Sequence, residues 1–385
     1  MAEDWRQGGF GLYLHWPFCQ AKCPYCDFNS HVVRSIDHKR WNRAYISEID
    51  RHARLMPGRV LNTVYFGGGT PSLMAPEVIA SVLDKVRACW PVANDLEVTL
   101  EANPGSVEAG RLSAYADAGV SRVSIGVQAL NDADLRRLGR IHTVAEARHA
   151  YDIAHNYFSR VSFDLIYARQ GQSLDAWRRE LREALSMAAD HLSLYQLTIE
   201  PNTAFGDRYA RGTLRGLPDE DRAGAMYEAT QELCEAAGLP AYEVSNHAKP
   251  GAESRHNLIY WRYGDYLGIG PGAHGRITLS GQRHATASHT RPDTWLAAAE
   301  TGNGTSLLAP LSARDQAEEY LMMGLRISEG VDTRRYAAMS QSALPKQAVT
   351  HLEEIGMITC EDGRLRATAR GRLVLNAVIR ALLAG

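Results

Sequence analysis

The fold of this chain is built around one stretch, Tyr13-Leu14-His15-Trp16-Pro17-Phe18-Cys19-Gln20-Ala21-Lys22-Cys23-Pro24-Tyr25-Cys26. It holds three of the six cysteines, with three residues and then two residues between them. Thiolates this close together can bind one soft metal centre, and sets of cysteines are usual ligands of iron–sulfur clusters. Three thiolates are one too few to close a four-iron cluster. One iron therefore stays open to a small molecule, as a catalytic zinc keeps one open position.

A structural zinc site is the main alternative for these cysteines. It needs a fourth cysteine or histidine at ligand spacing, and neither His15 nor His31 gives the paired spacing of a zinc finger. A disulfide is disfavoured, because an odd group of cysteines in a chain without a secretory leader indicates a reducing compartment. The sequence favours an iron–sulfur cluster on Cys19, Cys23 and Cys26, with zinc as the remaining alternative.

The composition is that of an ordinary globular protein. A length of 385 residues leaves room for one large domain and a smaller one, and 45% of the residues are hydrophobic and 22% charged. A net charge of −2 gives no electrostatic case for binding nucleic acid. No apolar run is long enough to span a membrane and the start lacks a leader, so we expect a cytoplasmic protein.

Strand-like and helical segments alternate through the first half of the chain. The predicted strands are Gly11–His15, Asn62–Phe66, Leu96–Leu100, Arg122–Gly126, Val161–Leu165 and His191–Ile199. The helices between them include Ile36–Leu55, Pro76–Trp90, Val107–Ala118 and Leu174–Ala188. This alternation predicts βαβ units and a parallel sheet, wound by right-handed crossovers into a partial (β/α)6 barrel. Chemistry in such barrels collects at the C-terminal ends of the strands.

The pattern changes near the C-terminus. From about Arg291 the composition becomes helical and charged, without alternation of strands and helices. The predicted elements are helices around Ala313–Ile327 and Gln347–Ile355, strands at Met357–Cys360 and Leu365–Ala367, and a last helix at Ala369–Leu383. This order predicts a small helical, winged-helix-like module over residues 291–385, after a barrel domain over residues 1–290. Without a basic patch, we expect a lid or partner surface rather than a DNA reader.

Glycines and polar residues fall at the predicted strand ends. The run Gly67–Ser72 follows the second strand, and its bare backbone could approach a ligand and donate hydrogen bonds to it. Glu101 and Asp164 can accept hydrogen bonds from hydroxyls or an ammonium group, and Gln128 and Arg140 can fix a carboxylate or a ribose. Each residue alone could be a solvated or capping residue, but their shared placement favours a binding site.

These motifs together resemble the oxygen-independent coproporphyrinogen III oxidase-like family of radical S-adenosylmethionine (SAM) proteins. The matching segments are Tyr13–Cys19, Gly67–Ser72, Gly126–Gln128, Asp164–Tyr167 and Gly268–Gly275. The resemblance covers most of the chain and implies a [4Fe–4S] cluster on the three cysteines, with Tyr25 beside it. It also implies a SAM site made of Tyr13, Gly68, Gly69, Thr70, Glu101, Gln128, Arg140 and Asp164.

Two features separate the branches of that family. The decarboxylating oxidases carry a fourth cysteine two positions after the third, where this chain has Phe28. The haem-chaperone (HemW) branch carries a His-Asn-x-x-Tyr-Trp motif, present here as His256, Asn257, Tyr260 and Trp261. The resemblance implies that His256 binds haem iron while the two aromatic residues contact the macrocycle. A histidine and two aromatic residues packed in a core is the alternative interpretation.

The function that the resemblance implies is a haem chaperone, which binds haem and delivers it to respiratory haem enzymes at the membrane. The alternative is an enzyme that decarboxylates coproporphyrinogen III with the help of SAM. The sequence leaves open the haem recipient, the electron donor, whether haem is held covalently and whether SAM is cleaved. His247 and His274 are further possible ligands, although each is more often a hydrogen-bonded loop histidine.

One segment departs from the family pattern. Where relatives tend to have Gly-Leu-Pro-Gly-Gln after Asp164–Tyr167, this chain has Ala168-Arg169-Gln170-Gly171-Gln172. We expect a loop that is stiffer at Ala168 and freer at Gln170, because a glycine and a proline have been lost. Arg169 is expected to add a charge near the site.

Overall fold

The computed structural model describes residues 3–106, 109–188 and 190–384. The strands are β1 Phe10–Trp16, β2 Phe18–Cys19, β3 His31–Val32, β4 Leu61–Gly68, β5 Val92–Ala102, β6 Arg122–Gln128, β7 Arg160–Tyr167, β8 His191–Gln196, β9 Ala241–Glu243, β10 Asn246–Ala248, β11 Asp265–Ile269, β12 His274–Leu279, β13 Gln282–Ser288, β14 Thr305–Pro310, β15 Val331–Asp332, β16 Ile358–Glu361 and β17 Arg364–Ala367. The α-helices are α1 His38–Leu55, α2 Pro76–Cys89, α3 Ala109–Ala118, α4 Asp132–Arg137, α5 Val144–Tyr157, α6 Leu174–Met187, α7 Ala204–Ala210, α8 Glu220–Ala236, α9 Arg255–Trp261, α10 Pro292–Glu300, α11 Ala313–Gly324, α12 Thr333–Ser340, α13 Lys346–Glu354, α14 Ala369–Leu373 and α15 Leu375–Leu383. Short 3-10 helices lie at Asp4–Gln7, Pro71–Leu73 and Pro104–Ser106.

Six parallel strands form the centre of the large sheet, in the order β1-β4-β5-β6-β7-β8. At least one α-helix lies between each strand and the next, as a parallel connection requires. This arrangement confirms the predicted partial (β/α)6 barrel. The predicted helix Val107–Ala118 is present from Ala109, and its first two residues lie outside the described residues.

The sheet continues beyond the barrel at both edges. β11 pairs in parallel with β1, and β12, β13 and β14 follow in antiparallel order, whereas β10 and β9 extend the sheet beyond β8. The sequence analysis predicted no strand between Arg291 and Met357 and therefore missed β14, which follows α10. This strand escaped prediction because it lies at the sheet edge with Leu307 and Leu308 both exposed, so it lacks the alternation of a half-buried strand.

The strands of the barrel have one apolar face and one polar face. On β1, Leu12, Leu14 and Trp16 are buried, and Trp16 packs against Trp41 and Tyr45 of α1 on the outside of the barrel. The alternate residues of β4–β8 point inward, and they are mostly polar. They include Thr63, Tyr65, Glu97, Thr99, Glu101, Arg122, Ser124, Ser162, Asp164, His191, Ser193 and Tyr195. The helices thus bury the apolar core outside the sheet and leave a polar interior for a ligand.

A separate core lies under the C-terminal helices. Residues of α11, α12, α13 and α15 pack around Leu321, Val331 and Leu365, and β15, β17 and β16 form a small antiparallel sheet beside them. The predicted last helix is divided at Val374, which has a non-helical conformation. The division of the chain at residue 290 stays a prediction. No helix among the described residues is long and apolar enough to cross a membrane.

Candidate functional site

A cavity of about 340 Å³ opens where β4 to β8 end and the cysteine loop begins. Its volume is within the range of small-molecule sites. Eleven of the predicted site residues line it: Cys19, Cys23, Tyr25, Cys26, Gly68, Gly69, Thr70, Glu101, Gln128, Arg140 and Asp164. The barrel therefore collects, at one end, side chains that are far apart in the sequence.

The three cysteines line the same wall of this cavity as free thiols. Among the described residues, no group of three or more His, Cys, Asp or Glu side chains is arranged around a single ion. In a four-iron cluster each thiolate binds a different iron, and three thiols from one loop suit such a group. Burial raises the pKa of the Cys19 and Cys26 thiols. Metal binding requires thiolates, so cluster loading would release protons.

Close packing against the cysteine loop explains the glycine run. A Cβ at Gly68 would lie 2.6 Å from the ring of His15, and one at Gly69 would lie 2.7 Å from the carbonyl oxygen of Phe18. Gly68 also has a φ of 109°, which favours glycine. A larger side chain at Gly68 or Gly69 would push the glycine run away from the segment that carries the cysteines.

The backbone amides of this run already have partners. The Gly68 amide donates to Glu101 Oε2 at 3.2 Å, and the Gly69 and Thr70 amides donate to carbonyl oxygens of Trp16 and Phe18 at 2.7 and 2.8 Å. In this conformation these three amides are engaged within the protein, and their donation to a ligand stays a prediction. Their hydrogen bonds join the glycine run to the cysteine loop.

Two buried carboxyl groups face the cavity. Burial raises the pKa of Glu101 to about 7, although the Tyr65 hydroxyl donates to its Oε1 at 2.8 Å and opposes the shift. Burial likewise raises the pKa of Asp164 to about 6, while Ser124 donates to its Oδ1 at 3.1 Å. A cationic or hydroxyl-rich ligand would satisfy both groups better than an apolar one, because it supplies donors to carboxylates that have lost water.

Arg140 connects the cysteine loop to the strand ends. Its guanidinium donates to Asn103 Oδ1 at 2.5 Å, to the Gly126 carbonyl at 2.9 Å and to Cys23 Sγ at 3.4 Å. Gln128 has a φ of 72° at a register shift between β6 and β7. Irregularities of this kind redirect side chains and are frequent beside functional sites. The protein itself therefore holds the Arg140 guanidinium in place, and the irregularity of β6 lies at Gln128.

Tyr13 is not among the residues that line the cavity, and its contact with SAM stays a prediction. Its hydroxyl lies 3.0 Å from His15 Nδ1, and its ring stacks on Tyr65 with centroids 6.2 Å apart. Tyr13 and Tyr65 each lie three residues before the end of their strand. Their rings therefore lie deeper in the barrel than the strand ends, where they pack beneath the cavity wall.

The predicted haem motif forms α9, at the opposite, N-terminal end of the barrel. His256 is 1% exposed, with Nδ1 2.6 Å from Thr63 Oγ1 and Nε2 2.6 Å from the Tyr260 hydroxyl. Its ring stacks on Tyr65 with centroids 4.9 Å apart, and burial lowers its pKa to about 3. Both nitrogens are engaged, so this conformation corresponds to the packed-core alternative. Ligation of haem by His256 stays a prediction that requires α9 to move.

The other motif residues do not offer an open face to a macrocycle either. Tyr260 packs edge-on against Tyr266 at 4.5 Å, and the Arg326 guanidinium covers Trp261 at 4.9 Å. Asn257 lines a second cavity of about 40 Å³ that shares Glu101, Ser124, Asp164 and Tyr195 with the larger one. In this conformation these side chains pack within the protein, and their contact with a macrocycle stays a prediction.

The segment that departs from the family pattern also differs from expectation. Ala168 has a φ of 57°, so it is strained as well as stiff. Arg169 does not add its charge to the cavity, because it is buried against Asp134 and Glu180 at 3.0 and 2.6 Å. Gln170 donates to a backbone carbonyl at 2.7 Å, so it is anchored rather than freer.

The two further histidines lie in different surroundings. His247 is fully buried, 3.3 Å from Gln231 Nε2, whereas His274 is exposed at the start of β12. Sequence reasoning missed Tyr65, Asn103, Ser124 and Tyr195 as site residues. Three of them, Tyr65, Ser124 and Tyr195, lie on strands. Because side chains alternate between the two faces of a strand, the polar residues at every second position could have been assigned to the inner face.

Comparison with known proteins agrees with this geometry. Residues 13–184 match the radical SAM superfamily, and residues 311–374 match the HemN C-terminal domain. Heme chaperone HemW of Escherichia coli is 39% identical over 97% of this chain and 98% of its own length. The mitochondrial radical S-adenosyl methionine domain-containing protein 1 of Bos taurus is 38% identical over 97% of this chain and 87% of its own length.

A solved structure shows the same fold. Coproporphyrinogen III oxidase (HemN) from Escherichia coli superposes with a TM-score of 0.81 over 98% of this chain and 92% of its own, at 21% identity. At that identity the likeness describes the fold alone, whereas the two full-length relatives define the family. The chain therefore belongs to the radical SAM superfamily, in the family that includes heme chaperone HemW of Escherichia coli and the mitochondrial radical S-adenosyl methionine domain-containing protein 1.

Proposed function

We propose that this protein is a haem chaperone, which binds haem and transfers it to respiratory haem enzymes. The observation that carries the proposal is the near full-length similarity to heme chaperone HemW of Escherichia coli. Phe28 also stands where a decarboxylating oxidase would have its fourth cysteine, which counts against the enzymatic alternative. Six free cysteines agree with a reducing compartment such as the cytoplasm.

We assign the cluster to Cys19, Cys23 and Cys26 and SAM to the 340 Å³ cavity. Three thiols on one wall and two carboxyl groups deep in the cavity fit a cluster with one open iron and a ligand that carries an amine and ribose hydroxyls. When bound, the cluster supplies an electron that can cleave a carbon–sulfur bond of SAM. Glu101 and Asp164 would accept hydrogen bonds from SAM, and Arg140 would hold the strand ends against Cys23.

SAM affinity is expected to rise as the pH is raised from 6 to 8. Glu101 accepts hydrogen bonds best as a carboxylate, and its pKa of about 7 places ionisation within this interval. The expected change in Kd is about tenfold, measured by calorimetry on the anaerobic, reconstituted protein. Glu101→Gln should flatten the profile. The stability of the unloaded protein should change in the other direction. Because folding raises the pKa of the Glu101 carboxyl group, the free energy of unfolding should fall as the pH rises from about 4 to about 7.

Tyr65→Phe should weaken SAM binding at least tenfold, because a hydrogen bond to a charged group contributes about 1.5–3 kcal/mol. The lost hydroxyl is the one that donates to Glu101 at 2.8 Å. Tyr263→Phe is the matched control, since it removes a similar bond of 2.7 Å to Glu319, outside the cavity. Equal SAM affinity in the two variants would show that Tyr65 does not orient Glu101.

The proposed function is tested by adding haem to the purified protein and recording absorbance. We expect a Soret band that saturates with haem and declines when a haem-free acceptor enzyme is added. In a parallel anaerobic assay with coproporphyrinogen III and SAM, we expect no protoporphyrinogen IX. Turnover in that assay, with no Soret band, would reverse the assignment in favour of the decarboxylating oxidase.

A further inference from the structure

The α9 helix, which carries the His256 motif, is held at its two ends by different parts of the protein. At the N-terminal end, the His256 amide donates to the buried carboxylate of Glu97 on β5 at 3.2 Å. At the C-terminal end, the contacts come from the segment between the end of α11 and the first turn of α12. Three residues of this segment, which we call the latch, make them: Arg326, Glu329 and Arg335.

Arg335 binds the main chain where α9 ends. Its guanidinium donates to the carbonyl oxygens of Arg262 and Tyr263 at 2.7 and 3.2 Å. The same group donates to both carboxylate oxygens of Asp4 at 3.0 and 2.7 Å, and this two-bond pairing fixes its orientation. Carbonyl oxygens at the C-terminus of a helix need donors of this kind. Arg335 thus fastens the last turn of α9 to α12.

Arg326 and Glu329 hold side chains of the same turn. The Arg326 guanidinium lies over the Trp261 ring at 4.9 Å and donates to Glu243 Oε1 at 2.8 Å. Glu329 accepts two hydrogen bonds from the Arg262 guanidinium, one of them at 3.0 Å. The Arg262–Glu329 pair is 41% and 44% exposed, so it can open at little cost. The latch therefore covers Trp261 and ties Arg262 to the segment before β15.

The chain leaves α9 in a strained conformation. Tyr263 has a φ of 54°, in the left-handed region that residues with a side chain rarely adopt. Strain of this kind persists only where the surrounding contacts impose it, and it is frequent at switch segments. Here Arg283 and Arg335 both donate to the Tyr263 carbonyl oxygen, and the Tyr263 hydroxyl donates to Glu319 at 2.7 Å. Release of the latch would let this strain relax and the last turn of α9 move.

Movement of that turn would free the imidazole of His256. Its Nε2 lies 2.6 Å from the hydroxyl of Tyr260, one helical turn further along α9, and its Nδ1 lies 2.6 Å from Thr63 Oγ1 on β4. An imidazole that donates from Nδ1 keeps a lone pair on Nε2, and here Tyr260 masks that position. If Tyr260 withdraws while Thr63 stays, the ring keeps its orientation and Nε2 can bind iron. The latched turn therefore carries the group that blocks the predicted haem ligand.

We propose that the latch gates the access of haem to the α9 motif. The motif is closed while the three latch residues hold the last turn of α9, and it binds haem when they release it. The inference rests on the proposed haem-chaperone function and adds the regulation of its binding site. Haem then binds an open state that the free protein populates only in part, which lowers the apparent affinity. Weakening the latch raises the open fraction, so haem should bind faster and more tightly.

The test is the rate of haem binding to the full-length, reconstituted protein, recorded by stopped-flow absorbance at the Soret band. In the wild type, we expect the rate to level off at high haem concentration, because the opening of α9 limits it. Arg335→Met should raise this plateau and lower the Kd, each about tenfold, since it removes four hydrogen bonds of the latch. Glu329→Gln breaks only the exposed pair with Arg262 and should raise the plateau about threefold.

Arg51→Met is the matched control for Arg335→Met. It removes two hydrogen bonds of 3.1 and 2.7 Å to the buried Glu48, on α1 rather than at α9. Both variants should lose stability, so a difference between their haem kinetics reports on the latch. Hydrogen exchange of the apoprotein is a second measurement. The amides of residues 258–262 should exchange faster in Arg335→Met than in the wild type and the control.

Each outcome has a distinct meaning. A wild type without a Soret band would defeat the proposed function, and hydrogen exchange would still show whether the latch holds α9. A wild type that binds haem, with the same plateau and Kd in both latch variants, would overturn the gate. Equal acceleration in Arg51→Met and Arg335→Met would also overturn it, because a general loss of stability would explain the effect. If Arg335→Met does not fold, Glu329→Gln decides, since its pair is exposed.

Discussion

Replacing Cys23 by alanine should remove most of the iron from the reconstituted protein. Cys23 supplies one of only three protein ligands, and the two that remain cannot hold a four-iron cluster firmly. Its thiol also accepts a hydrogen bond from Arg140 at 3.4 Å, so its loss frees that guanidinium from the cysteine loop. Iron and sulfide analysis, together with the visible absorbance of the cluster, measures the effect. SAM binding should disappear with the iron.

Cys89→Ala is the matched control for this variant. Cys89 lies at the end of α2, and its thiol contacts Asp50 at 3.7 Å rather than the cavity. The control should keep its full iron content. If Cys23→Ala instead retained one tightly bound zinc per chain, the structural-zinc interpretation would replace the cluster.

Replacing Arg169 by methionine should lower the free energy of unfolding by about 3–5 kcal/mol, the usual effect of removing one partner from a buried ion pair. Arg169 is 3% exposed and contacts Asp134 and Glu180 at 3.0 and 2.6 Å. Glu180 also accepts from the Leu130 amide at 2.8 Å, in the loop between β6 and α4. Denaturant unfolding of the apoprotein gives the measurement.

The variant should also weaken SAM binding, because the same loop and helix connect Gln128 to Arg140. Arg148→Met is its control, since the Arg148–Glu183 pair is 50% and 41% exposed and such surface pairs contribute about 0–1 kcal/mol. Equal losses of stability in the two variants would show that the Arg169 pair has no special role in stability.

The barrel was predictable because its signal is local. Apolar strands alternate with amphipathic helices such as α1, whose buried residues Trp41, Tyr45, Ile49 and His52 recur at helical spacing along one face. β14 was missed because an exposed edge strand carries no such periodicity. The cysteine ligand set could be proposed from spacing alone, since all three residues belong to one loop.

The remaining site depends on contacts between distant segments, which spacing does not encode. Tyr65 reaches Glu101 across the two neighbouring strands β4 and β5, and nothing near Tyr65 in the sequence marks it as a site residue. The His256 motif suggested an open ligand, but Thr63, 193 residues earlier in the chain, occupies one of its nitrogens.

The central claim is that three cysteines hold a four-iron cluster whose open iron accepts SAM. Electron paramagnetic resonance of the reduced, reconstituted protein, recorded with and without SAM, tests it most directly. We expect the signal of a reduced [4Fe–4S] cluster, and we expect SAM to change its g values because a new ligand binds the open iron. A cluster signal that does not respond to SAM, or reconstituted protein with no cluster signal, would contradict the account.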